Sequence, residues 1–175
     1  YFSPYVYYYI ELLIEKNNYS KAKKFLQKAW THSPYPDFKK VIKLLSKRMK
    51  ISYFDLVIYV TGNSKTLIES KLLIADSLID KQNWTKAKQY LSSLLEHKPS
   101  KEVCLLMSKI EEGYSGDTQK INTWISRSNF GKLSKIWICQ FSGLTQVNWT
   151  SISQSGYFNS LIWQNPNNIS QFTES

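Results

Sequence analysis

Apolar residues recur at intervals of three and four over most of the chain, from residue 5 to about residue 129. This spacing is typical of helices that bury one face. It predicts helices at residues 5–16, 20–32, 38–49, 64–81, 84–98, 100–114 and 117–128. The short apolar run at residues 54–60 fits a strand as well as a helix, and its helical neighbours favour a helix. We therefore expect seven or eight helices, joined in pairs by short turns.

Helix starts and stops follow from a few polar residues and prolines. Asp37, Ser100 and Asp117 each stand where a side-chain oxygen can cap the first turn of the next helix. Pro34 and Pro99 end the preceding helices because proline cannot continue the backbone hydrogen bonds.

The pattern changes near Gly131. Residues 136–139 and 160–163 are short β-type runs, with the run at residues 147–149 between them. This predicts a small β appendage after the helices, followed by a polar, Asn-rich tail. We accordingly divide the chain into helical repeats at residues 1–129, the appendage at residues 130–165 and a flexible tail at residues 166–175.

An internal repeat relates two parts of the helical region. Residues 18–26 and 83–91 have nearly the same sequence, and Pro34 and Pro99 keep the same offset of sixty-five positions. Each copy has an aromatic residue, then Ala22 or Ala87, then a leucine and a proline. This order is similar to the second half of a tetratricopeptide repeat, in which the small alanine lets two helices approach closely. It implies an all-α, tetratricopeptide-like solenoid of helical hairpins, with a degenerate repeat between the two copies.

Composition limits the class of protein. With 175 residues and 42% hydrophobic content the chain can bury a core, and its apolar runs are too short to span a bilayer. It begins at Tyr1, from which we expect a soluble domain excised from a longer protein. Two cysteines without partners at metal spacing predict neither a disulfide framework nor a zinc site, and Cys104 is expected in the core.

Positive charge is concentrated in one block. Of a net charge of +10, residues 16–50 contribute eleven basic side chains against a single acid, Asp37. The block either attracts an anionic membrane surface or nucleic acid, or is the solvated outer face of lysine-rich helices. Nucleic acid is disfavoured because the aromatic residues stand at core spacing and do not form a stacking platform. The residues assigned to this basic surface are Lys21, Lys24, Lys28, Lys40, Lys43 and Lys47.

Acidic residues recur on the first helices of the two copies. In the tetratricopeptide register they fall on the concave face, which predicts a groove that is acidic and apolar. A basic or mixed apolar peptide from a partner protein would fit this groove, and the alternative is a set of scattered surface acids. The residues assigned to partner binding are Tyr7, Glu11 and Glu15 in the first copy and Leu72, Asp76 and Asp80 in the second.

Catalytic and cofactor chemistry has little support in the sequence. His32 and His97 are related by the same offset and stand at the ends of second helices, where each can stabilise the carbonyl end. No glycine-rich phosphate cradle occurs among the six glycines. We therefore expect a protein that is not an enzyme and has no cofactor; haem ligation by a histidine is the disfavoured alternative.

The appendage resembles a zinc ribbon. The segment W-I-C-x-x-S-G at residues 137–143, Trp149 and S-G-Y-F-x-S-L-I-W at residues 155–163 are similar to W-V-C-x-x-C-G, W and C-x-x-C-G-x-F-x-x-L-x-W. Such a ribbon closes one branch of the HemY family, tetratricopeptide proteins associated with haem biosynthesis. The runs K-A-W at residues 28–30 and V-C-L-L-M at residues 103–107 also resemble segments of that family.

The resemblance implies a non-catalytic scaffold on the cytoplasmic side of the bacterial inner membrane, with tetrapyrrole-biosynthesis enzymes as partners. The alternatives are a general peptide-binding module without a haem link and a basic adaptor for nucleic acid or membranes.

The chain departs from the family at the metal ligands. Of four ribbon thiolates only Cys139 is present; Ser142 and Ser155 stand at two of the other positions, and the last falls near Ile152. Serine hydroxyls are poor zinc ligands, so we predict no metal. The appendage must then depend on apolar packing and on docking against the last helix. The residues expected to pack are Trp137, Trp149, Phe158, Leu161 and Trp163.

Overall fold

A computed structural model of the chain describes residues 3–95, 98–132 and 135–166. This part of the chain is mostly helical and ends in a small three-stranded sheet, as the coarse fold class predicted. The helices are α1 (Ser3–Glu15), α2 (Tyr19–His32), α3 (Phe38–Met49), α4 (Tyr53–Thr61), α5 (Ile68–Asp80), α6 (Trp84–Leu91), α7 (Lys101–Tyr114) and α8 (Thr118–Phe130). The strands are β1 (Ile136–Cys139), β2 (Thr145–Gln146) and β3 (Leu161–Gln164).

The structure decides one ambiguous segment and shifts two predicted helix boundaries. The ambiguous run at residues 54–60 is helical, as its neighbours indicated, and forms α4. Helix α5 begins four residues later than predicted, because Leu67 has an extended backbone with ψ 144°. Helix α6 ends at Leu91 and continues only as a 3-10 turn, Ser92–Leu94, in place of a helix to residue 98. The Ser92 hydroxyl donates to the carbonyl oxygen of Gln89, a local bond that competes with regular helix.

The predicted caps are confirmed at two of three positions. Asp117 accepts hydrogen bonds from the backbone N–H groups of Gln119 and Lys120, and Ser100 accepts one from Val103. The expectation for Asp37 was wrong, because its side chain makes no cap bond. Its carboxylate instead accepts a hydrogen bond from the Tyr35 hydroxyl at 2.9 Å and pairs with Lys40 at 3.0 Å.

The helices pack as four consecutive hairpins, α1–α2, α3–α4, α5–α6 and α7–α8. Neighbouring hairpins are joined by contacts of α1 with α3, α2 with α4, α4 with α5, and α5 and α6 with α7. Ala22 and Ala87 are both fully buried, as close helix approach requires. Among the described residues, no helix is both long enough and apolar enough to cross a membrane.

The first helices of the two copies, and the turns that follow them, have the same backbone geometry. Helices α1 and α5 each contain 13 residues and begin and end sixty-five positions apart. The turns that follow them both pass through a left-handed residue, Asn17 at φ 57° and Gln82 at φ 58°. The sequence offset is therefore also a structural offset for this hairpin.

The sheet has the order β2-β1-β3, and all neighbours are antiparallel. It docks across the N-terminal ends of the first helices α1, α3, α5 and α7. Tyr35, just before α3, packs its ring 5.8 Å from that of Trp137 and 5.7 Å from that of Trp163. Further contacts join Trp149 to Tyr5 of α1, Lys135 to Glu69 of α5, and the Lys132 carbonyl to the backbone N–H of Lys101 in α7.

Four of the five residues expected to pack in the appendage join the sheet to the helical core. Trp137 and Leu161 are buried and continuous with the helical core, and Trp149 and Trp163 pack against it. The expectation for Phe158 was wrong, because its side chain is 67% exposed beside the β-bridge to Ile152. The predicted tail lies almost entirely outside the described residues.

Candidate functional site

Two ion pairs join the first helices α3 and α5, and we use the name charged face for these four residues together with the other residues assigned to partner binding. It comprises Tyr7, Glu11 and Glu15 on α1, Lys39 and Lys43 on α3, and Leu72, Asp76 and Asp80 on α5. All six residues assigned to partner binding therefore belong to helices α1 and α5. The lysines between them come from α3, the first helix of the degenerate repeat.

Asp76 is the most buried charge of this face. Its Oδ1 lies 2.6 Å from Lys39 Nζ, and its Oδ2 accepts a hydrogen bond from the Tyr53 hydroxyl at 3.2 Å. Burial raises the pKa of Tyr53 well above its ordinary value, and the charge and hydrogen bond of Asp76 add to the rise. The carboxylate thus joins α3, α4 and α5 and is not available as an open acid for a ligand.

Asp80 lies one turn further along α5 and is more exposed. Its Oδ1 is 3.3 Å from Lys43 Nζ, which also lies 4.8 Å from the ring centroid of Tyr53. Lys43, assigned to the basic surface, thus lies in the same network as the acids. Two of the four predicted acids are neutralised within the chain, so the face is mixed in charge and not simply acidic.

The part of the face on α1 is less enclosed. Burial, and then the hydrogen bond to Glu11 and the nearby charges of Glu11 and Asp37, raise the pKa of Tyr7 to about 12. Helix α1 packs against α3, the helix that follows Asp37. Glu15 is exposed at the end of α1, and Leu72 is half-buried on α5.

The remaining basic residues fall into separate places. Lys21, Lys24 and Lys28 line, with Phe25, a shallow depression of about 470 Å³ along α2. Lys40 pairs with Asp37, and Lys47 is exposed near the end of α3. The six lysines of the predicted basic surface therefore do not lie together in a single patch. His32 lies exposed in the last turn of α2, and His97 lies outside the described residues.

The ribbon positions do come together. Ser155 Oγ lies 2.8 Å from Ser142 Oγ and 3.4 Å from Cys139 Sγ. The hydroxyls of Ser153 and Ser160 complete this cluster, at 3.1 Å from Ser155 Oγ and 3.4 Å from Cys139 Sγ respectively. Ile152, the expected fourth position, is 55% exposed, and the buried Ser153 beside it contributes in its place.

The cluster acts on the one thiol that it contains. Burial raises the pKa of Cys139, but hydrogen bonds with the hydroxyls of Ser142, Ser155 and Ser160 and with the backbone of Phe141 outweigh it and lower the pKa to about 5. The thiol is only 1% exposed. Ser155 donates to the sulfur, whereas the thiol itself donates to Ser160 Oγ, so the cluster uses this group as both acceptor and donor and does not expose it.

The same residues do not fit a zinc ion. Tetrahedral ligands at about 2.1–2.3 Å from zinc lie roughly 3.5 Å apart, whereas the Ser142 and Ser155 oxygens are at hydrogen-bonding distance from each other. Their lone pairs and protons are used within the cluster. Within the described ranges, no group of three or more His, Cys, Asp or Glu residues could hold a metal.

A cavity of about 840 Å³ lies between the α7–α8 hairpin and the end of β3. Lys98, Arg127 and Lys132 line it, and the Arg127 guanidinium lies 4.9 Å from the ring centroid of Trp124. Sequence patterns gave no sign of this cavity, because its walls come from segments far apart in the chain.

Three contributors to the sites were missed by sequence reasoning. Lys39 and Tyr53 complete the network of Asp76, and Tyr35 supports the sheet. The spacing of Lys39 and Lys43 equals that of Asp76 and Asp80 on a facing helix. This match could have indicated the two ion pairs between α3 and α5. Comparison of the chain with protein-family models, curated proteins and solved structures gave no match.

Proposed function

We propose that this chain is a non-catalytic protein-interaction scaffold of the HemY type, whose stacked hairpins form a tetratricopeptide-like solenoid. Its charged face would hold an extended segment of a partner protein. The observation that carries the proposal is the pairing of Asp76 with Lys39 and of Asp80 with Lys43. These contacts fix the partly exposed amines of Lys39 and Lys43 before a partner arrives, which lowers the entropic cost of binding.

The chemistry of this face selects the kind of segment that it binds. Lysine and carboxylate groups alternate from α1 to α3 to α5, with Tyr7 and Leu72 half-buried among them. A segment that carries charges of both signs and apolar side chains matches this arrangement better than a purely basic one. The acids on α1, Glu11 and Glu15, would contact its basic residues.

The link to tetrapyrrole biosynthesis rests on the ribbon. Convergence of Cys139, Ser142 and Ser155 supports a fold derived from a zinc ribbon, as do the left-handed glycines Gly143 and Gly156 that follow two of these positions. In this proposal hydroxyl hydrogen bonds have replaced the metal. The scaffold would operate at the cytoplasmic side of the bacterial inner membrane.

Co-purification tests the function directly. Tagged wild type should retain one or more tetrapyrrole-biosynthesis enzymes, and the variant with Glu11→Lys and Glu15→Lys should lose them. Glu112→Lys is the matched control, because Glu112 is exposed on α7, outside the charged face. Equal capture by all three proteins would remove the charged face from the proposal.

Capture of peptide segments without any tetrapyrrole enzyme would favour a general peptide-binding module. An absorbance change on haem titration would indicate a haem carrier.

The depression on α2 favours a second candidate function. Lys21, Lys24 and Lys28 stand along one side of an exposed helix, where cations add attraction to an anionic membrane surface. Sedimentation with vesicles of anionic lipid should then carry down the protein, and neutral vesicles should not. Replacing the three lysines with glutamine should abolish this binding, and unchanged sedimentation would exclude the depression as the contact.

A further inference from the structure

Three cationic side chains meet at the cavity between the α7–α8 hairpin and the end of β3. Lys98 precedes α7, Arg127 lies in the last turn of α8, and Lys132 follows α8. Among the described residues that line the cavity, none is acidic. The cluster lies outside the basic block at residues 16–50, so it is a separate source of positive potential.

The charges of this cluster are not neutralised within the described part of the chain. The lysines of the charged face each pair with a carboxylate of α5. By contrast, Lys98, Arg127 and Lys132 form no ion pair with any residue that the structure describes. Like charges that share one cavity repel each other, and a bound anion removes this repulsion. The cluster therefore favours an anionic ligand.

The backbone holds this cluster in place. The carbonyl oxygen of Lys132 accepts a hydrogen bond from the backbone N–H of Lys101 at 3.0 Å, which fixes the loop after α8 against the start of α7. Gly131 permits this close approach, because a Cβ there would lie 2.9 Å from the Lys101 nitrogen. Lys98 precedes Pro99, which disfavours helical conformations of the Lys98 backbone. Two of the three cations are therefore carried by constrained backbone.

Aromatic side chains lie beside the cations. The Arg127 guanidinium lies 4.9 Å from the centroid of the Trp124 ring, and this cation–π contact orders the arginine before a ligand arrives. Phe130 follows Arg127 by three positions, also lines the cavity and is 90% exposed. An exposed aromatic ring next to cations can stack on a planar group of an anionic ligand.

The size and charge of the cavity select the class of ligand. A volume of about 840 Å³ lies in the range of cavities that hold small molecules. Three cations match a multiply charged phosphate group better than a single carboxylate. The arginine fork can bind two phosphate oxygens at once, and each lysine adds a point charge.

We propose that this cavity binds a nucleoside diphosphate. Its phosphates contact Lys98, Arg127 and Lys132, and its base stacks on Phe130. The residues Asn165 and Pro166, which follow β3, form part of the same wall, so the ligand joins the sheet to the α7–α8 hairpin. This binding goes beyond the scaffold function and does not depend on it.

Calorimetric titration with adenosine diphosphate, inorganic pyrophosphate and adenosine tests the proposal. Adenosine diphosphate should bind, pyrophosphate should bind more weakly, and adenosine should give no detectable heat. Arg127→Gln and Lys132→Gln should each weaken binding of adenosine diphosphate by about tenfold or more, since each removes a charged contact. The matched control is Lys109→Gln, because Lys109 is exposed on α7 and does not line the cavity.

A fourth variant separates the ring from the charges. Phe130→Ala should weaken adenosine diphosphate by about tenfold through lost stacking, and it should leave the affinity for pyrophosphate unchanged. All four replaced side chains are exposed, so circular dichroism of the variants should equal that of wild type.

Two results would overturn the site: no binding of either phosphate compound to wild type, or equal weakening by Arg127→Gln and Lys109→Gln. Equal affinities of wild type for adenosine diphosphate and pyrophosphate would overturn the placement of the base on Phe130. The charged face does not enter this experiment, so either proposal can fail alone.

Discussion

The helices α1 and α5 have equivalent backbones but different surroundings. Helix α5 lies inside the stack and presents small or aliphatic residues, Ser70, Leu73 and Ile74, to the helices that cover it. Helix α1 lies at one end and presents tyrosines. The comparison shows that the repeat specifies where the chain turns, while the side chains of each copy are chosen by what lies next to it.

Removing side-chain volume should produce the largest difference in stability between the two copies of the repeat. Leu73→Ala opens a cavity under α4 and should lower the free energy of unfolding by about 2–4 kcal/mol. Tyr8→Ala, at the equivalent exposed position, should lower it by less than about 1 kcal/mol. Urea denaturation at low protein concentration measures both values. Similar losses in the two variants would mean that α1 is covered as α5 is.

Neutralising equivalent acids should produce the next largest difference in stability between the two copies. Asp76→Asn removes the partner of Lys39 in a mostly buried network and should lower stability by about 1–3 kcal/mol. Glu11→Gln, on α1, should lower it by less than about 1 kcal/mol, since this carboxylate is less buried. Thermal unfolding of the pair provides the comparison, and a larger loss for Glu11→Gln would contradict the assigned network.

The aromatic residue at the start of the second helix also differs between the copies. Trp84 packs so closely on Gly113 of α7 that a Cβ there would lie 2.3 Å from its ring, whereas the first copy has Tyr19. Gly113→Ala should therefore lower stability by about 1–2 kcal/mol, despite the better helix propensity of alanine. Adding Trp84→Tyr should recover part of the loss. If the single variant is more stable than wild type, the close contact does not exist.

The smallest contrast concerns pH. Tyr7 has a pKa raised to about 12 from an ordinary value of 10.0, and its equivalent, Leu72, does not titrate. Between these values the unfolded chain loses the phenol proton while the folded chain keeps it, so this contribution is complete below pH 10 and disappears as pH rises through 12. Tyr7→Leu should reduce the fall in stability over this range. Identical pH profiles would show that Tyr7 titrates normally.

The helical fold could be predicted from sequence because it depends on local spacing. Helix positions, two caps and the burial of Ala22 and Ala87 all follow from periodicity and from the repeat. The failures have local causes too. Ser92 interrupts α6 through its own hydrogen bond, and Asp37 is occupied by Tyr35 and Lys40.

The sites were harder to predict because they depend on contacts between distant segments. The acids were placed on the first helices, but the pairing of Asp76 with Lys39 requires knowledge of how α3 meets α5. Docking of the sheet on Tyr35 was missed for the same reason. The ribbon motif, by contrast, indicated that Cys139, Ser142 and Ser155 would converge, because the motif itself describes two turns that face one another; only the fourth position was wrong, since Ser153 and not Ile152 joins the cluster.

Thiol labelling at one pair of equivalent positions tests the comparison most directly. Leu12 is 44% exposed on α1 and Ser77 is fully buried on α5, and both native cysteines are buried. Leu12→Cys should react with a thiol reagent at nearly the rate of a free peptide, and Ser77→Cys should react only when the chain unfolds around it. Equal rates for the two variants would contradict the account.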